Sequence, residues 1–367
     1  MVVDSIFSPS FGNRPNKLVG REPVLSELMD GLTSAPGSRE RAVVLLGQRG
    51  SGKTVLLWEL AERASNAGFV VASPTIASEG MLERIVEKIQ DAGESALRKR
   101  KTHISGATLG ALGFSAGLQF TREVQESKSF QHKLTQLARL LTQQDKGVLI
   151  LVDELQANSP EIRQLVVAYQ ELVGEGLNVA MVMAGLPGAV SATLNDKVLT
   201  FLNRARKVEL GPLPFADVDA FYRDSFERLG LDVADELRRK ASHAANGSPY
   251  LLQLIGHSVV LYASEDGIVD NATIEVAIKT AQEDYENDVC KTTLSALSER
   301  DVEFLSTMVS LGVPARMSEL AKAMGRSPDY AQKYRRRLID AGIIEASERG
   351  MVSFAVPFLG EYLMNLQ

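Results

Sequence analysis

Eight consecutive residues, Gly47-Gln48-Arg49-Gly50-Ser51-Gly52-Lys53-Thr54, have the composition and spacing of a phosphate-binding loop. Glycine is needed there because backbone N–H groups must curl around phosphate oxygens at a helix N-terminus, where side chains would collide with the ligand. Lys53 is placed to neutralise the β and γ phosphates of a nucleoside triphosphate, and Thr54 to set its hydroxyl on Mg²⁺. A second set of residues completes that chemistry. The aliphatic run Val148–Val152 leads straight into Asp153-Glu154. An acid at a strand's carboxyl end, Asp153, would hold Mg²⁺ through its water shell, and Glu154 would polarise an attacking water. A glycine-rich turn with two capping acids is the bland alternative. Against it stand the buried run Val43–Leu46 before the loop and the amphipathic helix after it, with Val55, Leu56, Leu57 and Leu60.

Those residues need a sheet to carry them. Aliphatic runs at 42–46, 69–72, 148–152, 179–183 and 207–210 alternate with helical patterns near 81–90 and 161–173, which predicts an α/β fold with a parallel sheet covered on both faces. After Gly211-Pro212-Leu213-Pro214 the strands stop, and the periodicity predicts helices at 216–229, 233–245, 249–264 and 272–294, an all-α lid. The last seventy or so residues read as helices at 298–310, 317–324 and 327–341 followed by an apolar alternation through Ile343, Ile344, Val352, Phe354 and Val356, a winged helix-turn-helix. The expected division is 1–40 an N-terminal arm, 41–213 the phosphate-loop core, 214–295 the lid and 296–367 the winged helix. A basic run, Arg98–Lys101, opens an insertion at 98–128 whose period of two at Leu112, Phe114, Ala116, Leu118 and Phe120 predicts a β-hairpin. A helix with Gly106, Gly110, Gly113 and Gly117 on one face is its rival.

Taken together, the loop, the aliphatic strand ending in Asp-Glu, a Val19-Gly20-Arg21-Glu22 opening, a helical lid and a terminal winged helix resemble AAA+ ATPases of the Orc/Cdc6-like and archaeal-ATPase (STAND-related) branch. The resemblance covers nearly the whole chain. It implies ATP rather than GTP and places Val19, Gly20 and Arg21 against the adenine. It also implies a γ-phosphate sensor after the fourth strand, an arginine finger reaching a neighbour's site and a lid arginine. The chain departs from this pattern twice: Ala184-Gly185-Leu186-Pro187 offers no polar sensor, and Asn246-Gly247-Ser248-Pro249-Tyr250 has no arginine in the lid turn. For the finger, Arg204 has the position and Arg206 is the reserve; a surface ion pair is the alternative for either. Without a partner's arginine hydrolysis would be slow, since a finger contributes about 10³ to 10⁵ in rate. A homo-oligomer or a protein partner is therefore expected, and ATP would act largely as a conformational ligand.

In the terminal segment, Ala331, Tyr334 and Leu338 share one helical face and leave Gln332, Lys333, Arg336 and Arg337 outward. Between Arg316 and Arg349 eight basic residues face five acidic ones, a local +3 on a chain whose net charge is −6. Arginine, lysine and glutamine on a second helix of this motif pair with base edges or phosphates, and Arg349 between the wing strands is placed for a neighbouring groove, so double-stranded DNA is the expected partner. The contrasting reading is a regulator that binds ATP without turnover and holds a protein partner with the same module.

Composition limits the remaining possibilities. In 367 residues, 45% are hydrophobic, 23% charged and 6% aromatic, a globular composition rather than a disordered one, with length for two or three domains. The negative net charge excludes an indiscriminate nucleic-acid coat. A single cysteine, Cys290, forms no internal disulfide, and with no signal-peptide pattern at the start the expected location is the cytoplasm. Uncharged stretches at 104–121 and 176–194 are too diluted by glycine, asparagine and proline for a membrane span. His103, His132, His243 and His257 lack metal-ligand spacing, so no zinc is expected, and His257 is read as a core histidine.

Overall fold

In the computed structural model, which describes residues 4–9, 17–102, 129–156, 159–194 and 199–366, all five aliphatic runs of the core become parallel strands. These are β1 (Ala42–Leu46), β2 (Val70–Ile76), β3 (Val148–Asp153), β4 (Val179–Gly185) and β5 (Arg206–Glu209), in the spatial order β2-β3-β4-β1-β5. Alternation of side chains sorts each strand between two cores. Leu149 and Leu151 of β3, with Val43 and Leu45 of β1, face α1 (Glu22–Thr33) and α2 (Lys53–Asn66). On the other face Val148, Ile150 and Val152 pack with α3 (Met81–Thr102), α4 (Phe130–Gln143) and α5 (Pro160–Gly174). Both central strands β3 and β4 are buried along their whole length, which is why they read as unbroken aliphatic runs. The loop after β1 and the acids after β3 thus emerge at the same carboxyl edge of the sheet.

Two expectations change here. The helix placed near 81–90 continues to Thr102, so the basic run Arg98–Lys101 lies on helix rather than opening a hairpin. The remainder of the proposed insertion, 103–128, lies outside the described residues. A short helix, α6 (Pro187–Leu194), follows β4 where no element was expected.

The lid comprises α7 (Phe215–Arg228), α8 (Asp235–Ala244), α9 (Pro249–Tyr262) and α10 (Asn271–Tyr285). Two short strands, β6 (Asp232–Val233) and β7 (Ile268–Val269), pair in parallel between its helices. Part of the N-terminal arm packs into the lid. Phe7 lies 5.8 to 6.1 Å, centroid to centroid, from Phe221, Phe226 and Tyr222, and a methyl group at Gly256 would overlap its ring. His257 is not enclosed in the core. Its side chain is 44% exposed and its Nδ1 lies 2.6 Å from Asp4 Oδ2, fastening the arm to the lid surface.

The last predicted lid helix is interrupted: a π turn, Glu286–Cys290, separates α10 from α11 (Lys291–Ser295). Beyond it come α12 (Glu299–Leu311), β8 (Ala315–Arg316), α13 (Met317–Ala323), α14 (Pro328–Asp340), β9 (Ile344–Glu345), β10 (Met351–Phe354) and α15 (Leu359–Asn365). β10 is the centre of a small antiparallel sheet, between β8 and β9. This terminal unit shares one continuous apolar core with the lid, while the five-stranded sheet keeps its own two.

Candidate nucleotide site

The loop after β1 turns twice through left-handed backbone, at Gly50 (φ +74) and Gly52 (φ +86), a conformation that a β-carbon would oppose. Gly52 caps α2, so Lys53 and Thr54 open the helix and its free N–H groups face the loop. A methyl group at Gly47 would overlap the Ser51 hydroxyl. Among the described residues five buried side-chain polar atoms have no hydrogen-bond partner, and three of them, Arg21 Nε, Gln48 Oε1 and Ser51 Oγ, belong to the loop or touch it. Unsatisfied polar atoms gathered at one place mark where a polar ligand would be accommodated.

The side chains with expected metal roles meet. Thr54 donates its hydroxyl to Asp153 Oδ2 at 2.6 Å, and the other carboxylate oxygen of buried Asp153 accepts from the Glu154 N–H at 2.9 Å. One hydroxyl and one carboxylate suit Mg²⁺, which keeps several waters and takes phosphate oxygens rather than a full protein cage. Among the described residues no cluster of three or more His, Cys, Asp or Glu forms a metal site of its own. Lys53 donates to the carbonyls of Gly47 and Gln48, at 2.8 and 2.7 Å. Burial pulls its ammonium down to about 8, opposed by Asp153 and Glu154 and aided by Arg49. Glu154 is exposed and holds a left-handed backbone (φ +52), which turns its side chain out of the strand's line.

Around the loop lie two cavities. A small one, of about 40 Å³, is lined by Leu18, Val19, Arg21, Gly52, Val55 and Pro249 among others. This is the place where the opening motif, the start of α2 and the lid converge. Gly20 itself turns through φ +61. Buried Arg21 donates to the carbonyls of Ser51 and Gly211, tying the loop to the link before the lid, and desolvation lowers its pKa. The larger cavity, about 460 Å³, runs over the loop from Gly47 to Ser51 and is closed by Glu209, the lid turn Asn246–Pro249, Tyr285 and, from the terminal unit, Glu345 and Phe354–Pro357.

Residues 17–182 match the family described as AAA ATPase domain. This part of the chain is an AAA ATPase domain. Residues 287–363 match a second family, a domain of unknown function (DUF8462). Among solved structures, a Walker-type ATPase of Pyrococcus abyssi is 18% identical, covers 99% of this chain and 100% of its own length, and superposes with a TM-score of 0.70. The ORC2 protein of Aeropyrum pernix, solved in ADPNP–ADP complexes, is 16% identical over 99% and 98% with a TM-score of 0.62. Cdc6p of Pyrobaculum aerophilum is 17% identical over 99% and 98%, TM-score 0.50. At these identities the likeness is one of fold: the ATPase domain and the helical region C-terminal to it share the architecture of Orc/Cdc6 proteins and archaeal Walker-type ATPases.

Arg204 ends a 3₁₀ turn (Thr200–Arg204) before β5, the sheet's edge strand, and is exposed. It does not line the large cavity of its own ATPase domain. Arg206 is instead paired with Glu27 of α1. Where a lid arginine is absent, Pro249 packs on Gly52 and Tyr250 beside Gly50, with the Tyr250 hydroxyl held by Asp288 at 2.6 Å. Sequence reasoning missed Glu209, Tyr285 and Glu345, which approach the loop only through folding.

On α14, Gln332, Lys333 and Arg336 are exposed, as is Arg349 between β9 and β10. Arg337 behaves differently. It pairs at 2.7 Å with Asp301, a fully buried carboxylate that also completes the capping box of α12 with Ser298. Among the described residues no helix is long and apolar enough to cross a membrane.

Proposed function

We propose that this chain binds ATP with Mg²⁺ at the loop after β1 and the start of α2, hydrolyses it slowly, and uses the nucleotide to govern a DNA contact made by its terminal unit. The observation that carries the reading is the 2.6 Å Thr54–Asp153 hydrogen bond, which joins the loop motif to the acid that ends β3, next to a Lys53 folded onto the loop's own carbonyls. Thr54 and Asp153 would hold the magnesium ion, which neutralises developing phosphate charge when bound. Lys53 would exchange its two carbonyl partners for phosphate oxygens. Val19, Arg21 and Val55, which line the small cavity, and Gly20 between the first two would bound the base, and Gly47–Gly52 would supply backbone donors. Glu154, free of the strand and exposed, would orient the attacking water. Arg204, exposed and lining neither cavity beside the loop, would serve a neighbouring copy's site.

The terminal unit supports a winged-helix reading by its order: helix, strand, helix, helix, and two strands joined by a turn holding Arg349. Its exposed Gln332, Lys333 and Arg336 form the face offered to double-stranded DNA. Phosphate release from Mg·ATP by the wild-type chain, compared with Glu154→Gln, tests the enzymatic part. A fall of about 10² to 10⁴ is expected; equal rates would take Glu154 out of the chemistry, and no release by the wild-type chain would leave a nucleotide-binding regulator without turnover.

A further inference from the structure

Where helix α9 passes the small cavity its sequence is apolar except for one amide. Gln253 is 6% exposed, set between buried Leu252, Leu254 and Ile255, and with Pro249 and Leu252 it lines the cavity shared by Val19, Arg21 and Val55. Burying an amide on such a helix costs free energy unless both of its ends find partners. Only one end does. Gln253 Oε1 accepts the backbone N–H of Ser8 at 2.9 Å, and among the described residues its Nε2 has no acceptor. Because a backbone N–H can only donate, the oxygen has to face Ser8. The amide cannot turn round without losing that bond, so it offers the cavity hydrogens and not a carbonyl.

The group that sets this polarity comes from the N-terminal arm, and the arm is fastened on either side of it. Asp4 Oδ1 accepts the N–H groups of Ile6 and Phe7, at 3.0 and 2.9 Å, a turn that carries the chain toward Ser8. Asp4 Oδ2 meets His257, one turn beyond Gln253 on α9. Phe7 lies over Gly256 and against the rings of α7. These anchors fix the Ser8 N–H, which in turn fixes the amide. Arg21, also 6% exposed and lining the same cavity, has an Nε without an acceptor. Both side chains present hydrogens, so the cavity suits a group with unprotonated ring nitrogens, as adenine has at N1, N3 and N7.

We propose that Gln253 reads the base of the nucleotide by donating an Nε2 hydrogen to a ring nitrogen of the adenine, and that the arm at residues 4–9 serves base recognition by holding the amide in that orientation. The proposal rests on the nucleotide reading of the loop and of the opening motif. Gln253 is in this role a binding residue, and Asp4, which acts on it only through the arm, a positioning residue.

Competition against labelled Mg·ATP on the full-length chain, using 1-deaza-, 3-deaza- and 7-deaza-ATP, each lacking one ring nitrogen, tests the assignment without any substitution. One of these analogues should bind about tenfold more weakly than ATP, since a hydrogen bond is lost and a buried donor is left unpaired. Gln253→Met fills nearly the same volume without either amide end. It should bind ATP about tenfold more weakly and no longer distinguish that analogue from ATP. Asp4→Ala loosens the arm without opening the aromatic cluster around Phe7. It should narrow the ratio between ATP and the analogue to about threefold or less, and have no effect on ATP affinity when added to Gln253→Met. Equal binding of ATP and every analogue overturns the proposal, as does a ratio that survives Gln253→Met; a ratio unmoved by Asp4→Ala overturns the arm's part in it. A wild-type chain that retains no labelled ATP defeats the nucleotide reading and this proposal together, whereas ATP binding without discrimination among the analogues defeats this proposal alone.

Discussion

The loop after β1, with Arg49 and Lys53, and helix α14, with Lys333 and Arg335–Arg337, both gather cations within a few residues, yet the two regions use them in opposite ways. In the loop the decisive cation is turned inward: Lys53 is shielded from water, holds two backbone carbonyls and has a lowered pKa. On α14 Lys333 and Arg336 stand outward, whereas Arg337 neutralises the buried carboxylate of Asp301. A cation kept from water by its own loop is poised for a ligand that can replace those carbonyls. An exposed one keeps its hydration and acts through long-range attraction.

Substitution of the inward cation should have the greatest consequence. Lys53→Ala should weaken Mg·ATP binding about 100-fold or more, since it removes one partner of a desolvated charge pair; titration with labelled nucleotide, or emission from the sole tryptophan, Trp58 on α2, reads it. Retained affinity would mean that the inward lysine serves only the loop's shape.

The largest effect expected on α14 is structural. Arg337→Ala leaves Asp301 buried without its cation, and denaturant unfolding should show a loss of about 3 kcal/mol. Lys333→Ala with Arg336→Ala, by contrast, should stay within about 0.5 kcal/mol of wild type. The same pair should lower the slope of log affinity for duplex DNA against log salt by about 2, near 0.9 for each phosphate no longer neutralised. An unchanged slope would remove the DNA contact from this face.

The smallest effect is one of pH. With Lys53 titrating at about 8 in the free protein, phosphate binding restores its charge, so Mg·ATP affinity should fall as pH rises, about twofold between pH 7 and 8 and more steeply above. The folded chain binds fewer protons than the unfolded chain between about 8 and the ordinary lysine value of 10.5. Without nucleotide, this group's contribution to stability therefore rises across that window. Lys53→Ala should flatten both dependences.

Much of the core was legible in the sequence because its signals are local. Buried parallel strands appear as unbroken aliphatic runs, and a phosphate loop is built from consecutive residues whose glycines are required by backbone conformation. Asp153 was legible for the same reason, as an acid at the end of such a run. The insertion after α3 was less so: the basic run extends a helix already under way, and the glycine-studded stretch beyond lies outside the described residues. α6 was missed because its apolar, glycine-bearing sequence shows little one-sided periodicity.

From the amino-acid order alone came the α/β core, the loop, its lysine and threonine, and the acids that end β3, all set by neighbours within a few positions. Only the tertiary structure decided that Arg337 serves Asp301, that Arg206 is paired with Glu27, that Glu345 overlooks the loop and that Gly342 and Asp340 rest on Gln48 and Gly188. Those contacts join residues far apart in the chain. They depend on how a terminal unit sharing the lid's core returns to the sheet, which no local pattern encodes.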